Sequence, residues 1–395
     1  MATRPDVDID QVLHASMGLV ATNGLKALTL RPLADKLQTT VSALSYRLGR
    51  KEALLGTVIQ AACDEDAVFL ETWLARIAAA PATGEVLADL VDSLLDDMTR
   101  QHAKRGQFYC ELLQGAATRP EIVAPLEAWK ARRLAFWRAA TLRSDRPDLA
   151  EVLNAYSTDE MAHGLVLGDD AAYRWLRRLN LRRICSGLIP SDEADLRLFT
   201  IFHAALGDVP GAAGERYRVA AVSDWQIRVA GRISALIIAE GADAVTHRAI
   251  AERADVPSST LAYHFPRQED LLRAGLEDII VRLQGDADRS ADTSDRATEQ
   301  SGVDIARATF AIALAATRMP NLHGFAADMR RRRGENFHAR LKRDTNTLPA
   351  FDLLACQALS ITGMGQVMFL GNLKAEEAES GFALLGRMQE FASNA

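Results

Sequence analysis

The sequence has few cysteines and no long hydrophobic run. Its four cysteines, Cys63, Cys110, Cys185 and Cys356, are scattered without a Cys-x-x-Cys pair. Buried thiols in a reducing cytosol explain this spacing better than a disulfide framework or a zinc site. The N-terminal residues lack the basic and apolar regions of a signal peptide, and the longest apolar run, 233–239, is too short to cross a bilayer. We therefore expect a cytoplasmic protein without a membrane segment.

Catalytic motifs and strand patterns are missing as well. The chain contains no His-Glu-x-x-His, no glycine-rich phosphate loop after a strand and no nucleophile elbow, so we expect no enzymatic activity, no metal and no cofactor. No stretch alternates between apolar and polar residues in the manner of a strand. With 395 residues, 48% of them hydrophobic, the chain is long enough for two globular domains.

An excess of positive charge is also lacking, since the formal net charge is −6. Binding to DNA would therefore need a local patch. One stretch, 241–272, has the pattern for such a site. Thr246 is placed to cap a short helix, Pro257 ends that region and suits the start of another helix, and 258–264 then forms the second helix. Two short helices about a tight turn form a helix-turn-helix, whose second helix fits a DNA major groove.

The same pattern occurs twice. Residues 24–55 match 241–272 without a gap at a constant offset of 217 residues, and a repeat of this kind sets the domain organisation. The identical pairs include Gly24/Gly241, Ala27/Ala244, Thr29/Thr246, Arg31/Arg248, Ala34/Ala251, Ser42/Ser259, Leu44/Leu261, Tyr46/Tyr263, Arg50/Arg267, Glu52/Glu269, Leu54/Leu271 and Leu55/Leu272.

Both copies resemble the DNA-binding segment of the tetracycline-repressor (TetR) family. The family pattern is found in the second copy as Gly241, Thr246, Ile250-Ala251, Val256, Tyr263-His264-Phe265, Gln268-Glu269 and Leu271-Leu272. In that copy, Ala262 is at a position where the family usually has an aromatic residue, and Gln268 is at the position of its usual phosphate-binding lysine. The first copy has Ser45 and Leu48 at two aromatic positions but keeps Lys51.

The resemblance implies an all-α protein of two tandem TetR-like units. Each unit would have an N-terminal helix-turn-helix bundle followed by a helical domain for ligand binding and dimerisation. The expected boundaries are 1–56 and 57–207 for the first unit, 208–223 for the Gly/Ala/Pro-rich linker, and 224–273 and 274–395 for the second unit.

The resemblance also implies which residues face DNA. Those at the recognition helices are Thr40, Val41, Ser42, Ala43, Ser45, Tyr46 and Arg47 in the first copy, and Ser258, Ser259, Thr260, Ala262, Tyr263 and His264 in the second. Those expected at phosphates are Thr29, Arg31, Tyr46, Arg50 and Lys51, with Thr246, Arg248, Tyr263, His264 and Arg267. Apart from Arg47 and His264 the recognition surfaces lack groups for bidentate base contacts, so shape and water should carry much of the specificity.

Three of these residues have alternative explanations. The helix macrodipole opposes a cation at a helix N-terminus, so Lys51 suits a phosphate, but it could also be an ordinary solvated lysine. For Tyr46 and Tyr263, the alternative is packing of the ring against the helical bundle.

Further helices are predicted at 8–20, 51–80, 83–104, 121–142, 147–168, 171–188 and 192–206, and then at 269–283, 303–317, 322–342, 349–370 and 375–392. The polar stretch 285–302 is predicted to be a loop. Residues 161–169 resemble 364–372 at an offset of 203, where the family's dimer-forming helices lie. Glycines in both segments, Gly164 and Gly168 with Gly363, Gly365 and Gly371, suggest a close helix contact. We therefore predict a four-helix interface that makes one chain imitate a TetR dimer.

Two other groups of residues are candidate sites. The basic run 330–333 points around a whole helix turn, so it predicts a solvated, salt-bridged helix rather than a second DNA contact. Aromatic residues are concentrated in the first unit, either as core or as a ligand pocket. The pocket residues would be Tyr109, Trp129, Phe136, Trp137 and His163, and the resemblance implies a small hydrophobic effector.

The function predicted from these observations is a ligand-responsive TetR-like regulator of the repressor type, which binds operator DNA as an intramolecular pseudo-dimer and can pair further as a homodimer. The alternative is a protein-binding or ligand-binding module whose degenerate helix-turn-helix units no longer bind DNA, because the chain has no overall basic footprint.

Overall fold

The computed structural model describes residues 8–49, 51–79, 84–144, 146–188, 192–210, 223–289, 295–343 and 351–371. Every regular element in these ranges is helical, which confirms the all-α class. The α-helices are α1 Ile9–Asn23, α2 Leu30–Lys36, α3 Val41–Leu48, α4 Lys51–Ala79, α5 Gly84–Asp96, α6 Ala103–Gly115, α7 Pro120–Arg143, α8 Ala150–Leu167, α9 Ala171–Ser186, α10 Glu193–Gly207, α11 Asp224–Glu240, α12 His247–Ala254, α13 Ser258–His264, α14 Gln268–Arg289, α15 Asp295–Ala316, α16 His323–Arg331, α17 Glu335–Arg343 and α18 Leu353–Leu370.

Helices α1 to α4 and α11 to α14 have the same local plan. In both sets a 3-10 turn follows the first helix, Leu25–Ala27 in one and Ala242–Ala244 in the other. Each turn is entered through a glycine with positive φ, 74° at Gly24 and 86° at Gly241. The tight turn before each recognition helix also contains a left-handed residue, Gln38 in one set and Asp255 in the other. The internal repeat is therefore a repeat of backbone conformation as well as of sequence.

The packing of the two sets follows the repeat. Leu33, Leu44 and Leu54 of the first set are at most 1% exposed. Their counterparts at the same offset, Ile250, Leu261 and Leu271, are fully buried. Because these residues come from three successive helices, each set packs around an apolar centre, and each centre continues into the core of the helices that follow.

The region after α4 differs from the prediction. The helix predicted at 83–104 is α5, followed by a π-helical turn, Asp97–Gln101, and then by α6, most of which was not predicted. Gly106 suggested a break, but it lies inside α6, where an added Cβ would meet the Met98 carbonyl oxygen at 2.7 Å. Gly106 therefore allows α6 to lie close to the Met98 carbonyl, and this packing role explains a glycine inside a helix.

The second half contains two further corrections. The loop predicted at 285–302 is helical at 285–289 and 295–302, in α14 and α15. Its Ala, Glu, Gln and Arg residues are good helix formers even without an apolar stripe. The single helix predicted at 322–342 is broken between α16 and α17 at Gly334, whose φ is 83°. An added Cβ there would lie 2.5 Å from the backbone of Cys356.

Most of the linker, 211–222, and the helix predicted at 375–392 lie outside the described residues. Helix α11 begins directly after the predicted linker, and Ser223 and Gln226 form a capping box at its start. The exact domain boundaries remain predictions.

Helices α8 and α18 pack closely on each other along their length. An added Cβ at Gly365 would lie 1.8 Å from the carbonyl oxygen of Ala155, so the two backbones touch at this point. Of the other glycines named from the sequence, Gly164 packs on Thr99 of the π-helical turn, and at Gly371 no atom of a described residue lies within 4 Å of an added Cβ. The close contact between α8 and α18 therefore depends on Gly365.

Helix α18 is also long and apolar enough, by length and composition, to cross a membrane. Over half of the window that passes this test is buried inside the protein. This burial is typical of a helix packed in a protein core, which can pass the same test by composition.

The basic run is salt-bridged, as predicted, but two of its four arginines are buried instead of solvated. Arg330 is fully buried and pairs with the equally buried Glu160, while Arg333 is 4% exposed and donates to Asp159 at 3.2 Å. These two arginines are three residues apart and so share one side of the chain, which faces α8. Arg331 is partly exposed and pairs with Asp328 at 2.8 Å.

Candidate nucleic-acid interface

The two recognition helices, α3 and α13, each bury one residue and expose the opposite face. Leu44 anchors α3 and Leu261 anchors α13 in the apolar centres described above. The Thr40 hydroxyl accepts a hydrogen bond from the Ala43 amide at 3.2 Å and so caps α3. Helix α13 has Pro257 at the corresponding position, which supplies a favourable φ instead of a cap. The predicted cap of α12 is confirmed, since the Thr246 hydroxyl accepts from the Ala249 amide at 3.1 Å.

Most residues predicted to face DNA are accessible. The exposed ones are Arg31, Thr40, Val41, Ser42, Tyr46, Arg47, Thr246, Arg248, Ser258, Ser259, Thr260, Ala262, Tyr263, His264 and Arg267. Thr29, Ala43 and Ser45 are partly buried. Arg50 lies outside the described residues, and Lys51 begins α4 without a described side chain.

The two tyrosines are the most informative residues on these surfaces. Tyr46 is 96% exposed and Tyr263 is 81% exposed, at equivalent positions of the repeat. Packing of the rings against the bundle, the alternative raised by the sequence, is therefore wrong. Both recognition helices therefore present a tyrosine ring to solvent at the same position of the repeat.

The second copy differs in how its polar groups are used. Gln268, at the position of the family's lysine, donates from Nε2 to the Val245 carbonyl at 2.7 Å. This side chain therefore supports the turn before α12 instead of extending outward. Arg248 pairs with Glu252 at 3.0 Å on the exposed surface, and the His264 ring packs against Trp225 with 4.8 Å between centroids. The two surfaces are consequently similar in shape but unlike in chemistry.

The aromatic residues predicted as a pocket form ring pairs in the first unit. Tyr109 contacts Trp129 with 5.0 Å between centroids, and Phe136 contacts Trp137 at 5.1 Å. His163 is buried elsewhere, with Nδ1 3.5 Å from Asp159 beside the Arg333 pair. Two cavities among the described residues, one beside the 3-10 turns and one farther along the first unit, are lined by other residues. The larger, about 290 Å³, lies between α5 and α9.

A buried ionic group that sequence reasoning missed lies beside these rings. The Asp66 carboxylate accepts from Trp129 Nε1 at 2.7 Å and from Arg133 Nε at 2.8 Å, and it is 3.1 Å from Arg105 Nε. Burial alone would raise the pKa of Asp66, but Arg133 and Arg105 outweigh it and lower that pKa. The Tyr109 hydroxyl is buried nearby and has no hydrogen-bond partner among the described residues, and burial raises its pKa well above the ordinary value.

The signal for Asp66 was present in the sequence. It falls in the apolar stripe of α4 that includes Ile59, Ala62, Cys63, Leu70 and Trp73, all of which are buried. A carboxylate in such a stripe must be paired if it is to stay charged. Its partners are 39 and 67 residues away along the chain, and no local pattern identifies them.

Among the described residues, no group of three or more His, Cys, Asp or Glu side chains is placed to hold a metal ion.

Comparison with known proteins supports a DNA-binding role. Residues 233–274, from within α11 to the start of α14, match the model of the family described as bacterial regulatory proteins, tetR family. No curated protein matches the chain. The family match supports a transcriptional regulator of the TetR class, whose members are generally DNA-binding proteins without enzymatic activity. The match covers the second helix-turn-helix.

Proposed function

We propose that this protein is a ligand-responsive transcriptional repressor whose two unlike helix-turn-helix units bind two unlike half-sites on one face of operator DNA. The observation that carries this proposal is the repeated surface with Tyr46 and Tyr263 exposed on matching recognition helices. Phosphate contacts from tyrosine, threonine and arginine would orient each unit, while hydroxyls and groove shape would supply specificity.

The packing of α8 on α18 supports an intramolecular pseudo-dimer. These helices contain the two segments that resemble each other at an offset of 203 residues. Helix α8 also holds the second half of the chain through two buried ion pairs, Arg330 with Glu160 and Arg333 with Asp159. Fusion of the units raises the effective concentration of the second at DNA once the first is bound, so one chain can do what otherwise needs two.

The effector is proposed to be small and hydrophobic and to bind among the aromatic rings of the first unit. Tyr109 and Trp129 supply apolar surface, and the Tyr109 hydroxyl offers a buried polar atom for orientation. Ligand and DNA affinities must then be coupled reciprocally. A ligand that binds equally well with and without operator DNA would contradict this part of the proposal.

The first test uses the full chain and a pool of random DNA duplexes, from which bound sequences are selected. Solution mass on the selected duplex then distinguishes one chain per site from two, and a salt series measures the phosphate contacts. We expect one chain on a non-palindromic site with steep salt dependence. Two chains on a palindromic site would replace the pseudo-dimer with a further homodimer. Absence of salt-sensitive binding would favour the protein-binding or ligand-binding module.

Removal of the two exposed hydroxyls should weaken DNA binding without changing stability. Tyr46→Phe and Tyr263→Phe each delete one charge-assisted hydrogen bond to phosphate, so each should raise the Kd about tenfold, roughly 1.5 kcal/mol. Fluorescence anisotropy on the selected duplex measures this change. The exposed Leu142, 69% accessible on α7, offers Leu142→Ala as a control with unchanged affinity. Equal affinities for wild type and both tyrosine variants would exclude the tyrosines from the interface.

A lysine at the start of α14 should restore a missing phosphate contact. Gln268→Lys should tighten DNA binding and steepen the slope of log K against log salt by about 0.9. Gln60→Lys adds the same charge on the exposed side of α4 and should leave the slope nearly unchanged. Equal slopes for the two lysine variants would show that residue 268 is not beside a phosphate.

A further inference from the structure

The two helix-turn-helix domains touch each other directly. The contact is made by the 3-10 turns, where an added Cβ at Gly24 would lie 2.2 Å from an Asp243 carboxylate oxygen. Lys26 of the first domain also pairs with Glu240 of the second at 3.0 Å. We call the residues Gly24, Lys26, Glu111, Glu240, Asp243 and Arg318 the junction. Each turn is followed by a short helix and then by the recognition helix of its own domain. Contacts at the junction therefore influence the distance between the two recognition helices.

Arg318 lies at the centre of the junction, just after α15. Its guanidinium donates to Glu111 of α6 and to Asp243 of the second domain's turn. The side chains of Arg318, Glu111 and Asp243 are 9%, 8% and 23% exposed, so this bridge is largely shielded from water. Shielded charge pairs are screened little by salt and are costly to break on one side.

Helix α6 connects Arg318 to the first domain. Gln107 on α6 donates to the Ala21 carbonyl of α1 at 3.3 Å and to Thr317, next to Arg318, at 2.9 Å. Arg119, which follows α6, donates to the Leu25 carbonyl at 3.4 Å. The polar contacts thus form a continuous chain from the first helix-turn-helix, through α6 and Arg318, to the second.

The other ionic contact at the junction is weaker. Lys26 and Glu240 are 47% and 28% exposed, and exposed pairs of this kind contribute little. Glu240 has a second partner, Arg253, within its own domain at 2.6 Å. Lys26 therefore serves as a matched control, since it crosses the same junction without the shielding.

We propose that Arg318 is a positioning residue that fixes the spacing between the two recognition helices and thereby the half-site spacing of the operator. This inference rests on the proposed function, because spacing matters only if both units bind DNA together. Burial raises the pKa values of Glu111 and Asp243, so loss of the guanidinium would leave two carboxyl groups that resist burial in one place. The two turns would then lose this bridge, while the packing of α8 on α18 still holds the two halves of the chain together.

The test is a series of duplexes that carry the selected half-sites with the central spacer changed one base pair at a time. One base pair rotates the second half-site by about 34°, given about 10.5 base pairs per turn. The wild-type chain should show a sharp optimum, with affinity about 100-fold lower two base pairs away, because the second unit no longer engages. For Arg318→Met, we expect a lower affinity at the best spacer length. Its affinity should also vary less than about fivefold across the series, because the two units can change their separation to match each spacer.

Two variants separate positioning from a general structural role. Lys26→Met should keep the sharp wild-type optimum, and Arg318→Lys should give an intermediate profile because one ammonium cannot make the planar bridge. Unchanged sharpness in Arg318→Met, whatever its absolute affinity, would overturn the proposal. If Arg318→Met does not fold, Asp243→Asn answers the same question: a flattened profile supports the proposal, and a sharp one overturns it.

A DNA-free measurement keeps this inference distinguishable from the proposed function. Spin labels on Ser42→Cys and Ser259→Cys, both exposed on the recognition helices, report the distance between them, and the four native cysteines are buried. A narrow distance distribution in the otherwise unchanged chain that broadens with Arg318→Met supports positioning, even if DNA binding fails. Equal widths would overturn it, even if DNA binding is confirmed.

Discussion

Replacement of Gly365 by alanine should destabilise the protein by at least about 3 kcal/mol, in spite of the higher helix propensity of alanine. The added methyl group would lie 1.8 Å from the Ala155 carbonyl oxygen and 2.7 Å from its carbonyl carbon. These are backbone atoms inside α8 and cannot move by a side-chain rotation. The variant can relieve the overlap only by separating α8 from α18, which opens the contact between the two halves of the chain.

The measurement is the midpoint of urea unfolding, monitored by circular dichroism. Gel filtration then reports whether the two halves of the chain have separated. Gly56→Ala is the matched control, because Gly56 is also inside a helix and an added Cβ there has no atom within 4 Å. That variant should gain about 0.5–1 kcal/mol from propensity alone. If Gly365→Ala were as stable as Gly56→Ala, α8 and α18 would not be packed as described.

The second large effect is expected at the buried pair of Arg330 and Glu160. Arg330→Met should cost about 3–5 kcal/mol, because it leaves an uncompensated carboxylate in a site with no exposure. The double variant Glu160→Gln with Arg330→Met should recover most of this loss. Its neutral amide can still accept the hydrogen bond that the Tyr173 hydroxyl now donates to Glu160 at 2.7 Å. A double variant no more stable than Arg330→Met would contradict the pairing.

The pH dependence of the same variants has a definite sign. In the wild type, burial would raise the pKa of Glu160, but Arg330 outweighs burial and lowers it. The stabilisation from Glu160 is therefore present above the unfolded pKa, about 4.3, and is lost as the pH falls below it. In Arg330→Met burial acts alone, so the pKa of Glu160 should be raised and its proton should stabilise the fold. The deficit of Arg330→Met should consequently be smaller at pH 5 than at pH 8, and urea midpoints at both pH values test this.

Some features of the candidate interface follow from local sequence. The sequence predicts Thr246 as a helix cap and Pro257 at the start of the recognition helix, and each has that role. Gly241, named only as part of the family pattern, has the positive φ that the turn needs. Capping, the fixed φ of proline and the positive φ of glycine depend on a few adjacent residues, which explains why they can be predicted from sequence.

Other features could not be predicted, because their partners are distant in sequence. Gln268 was expected only to lack the charge of a phosphate-binding lysine, and its bond to Val245 emerges from the way α14 packs on the turn before α12. The run 330–333 looks uniformly basic, yet Arg330 and Arg333 are buried because Glu160 and Asp159 lie opposite them on α8. Glycine is equally ambiguous, since Gly106 permits a close approach inside a helix and Gly334 ends one.

The sequence by itself determined that this protein is helical and that it carries two copies of a helix-turn-helix pattern, with matching turns and apolar spacing. These are consequences of short-range steric and hydrogen-bonding preferences, which each segment has wherever it lies. Only the tertiary structure decided that Gly365 lies against Ala155, that Arg330 reaches a partner 170 residues away, and that Arg318 joins Glu111 of α6 to Asp243 of the turn after α11. Those contacts arise when whole helices pack, and their energy depends on burial and pairing that no local segment specifies.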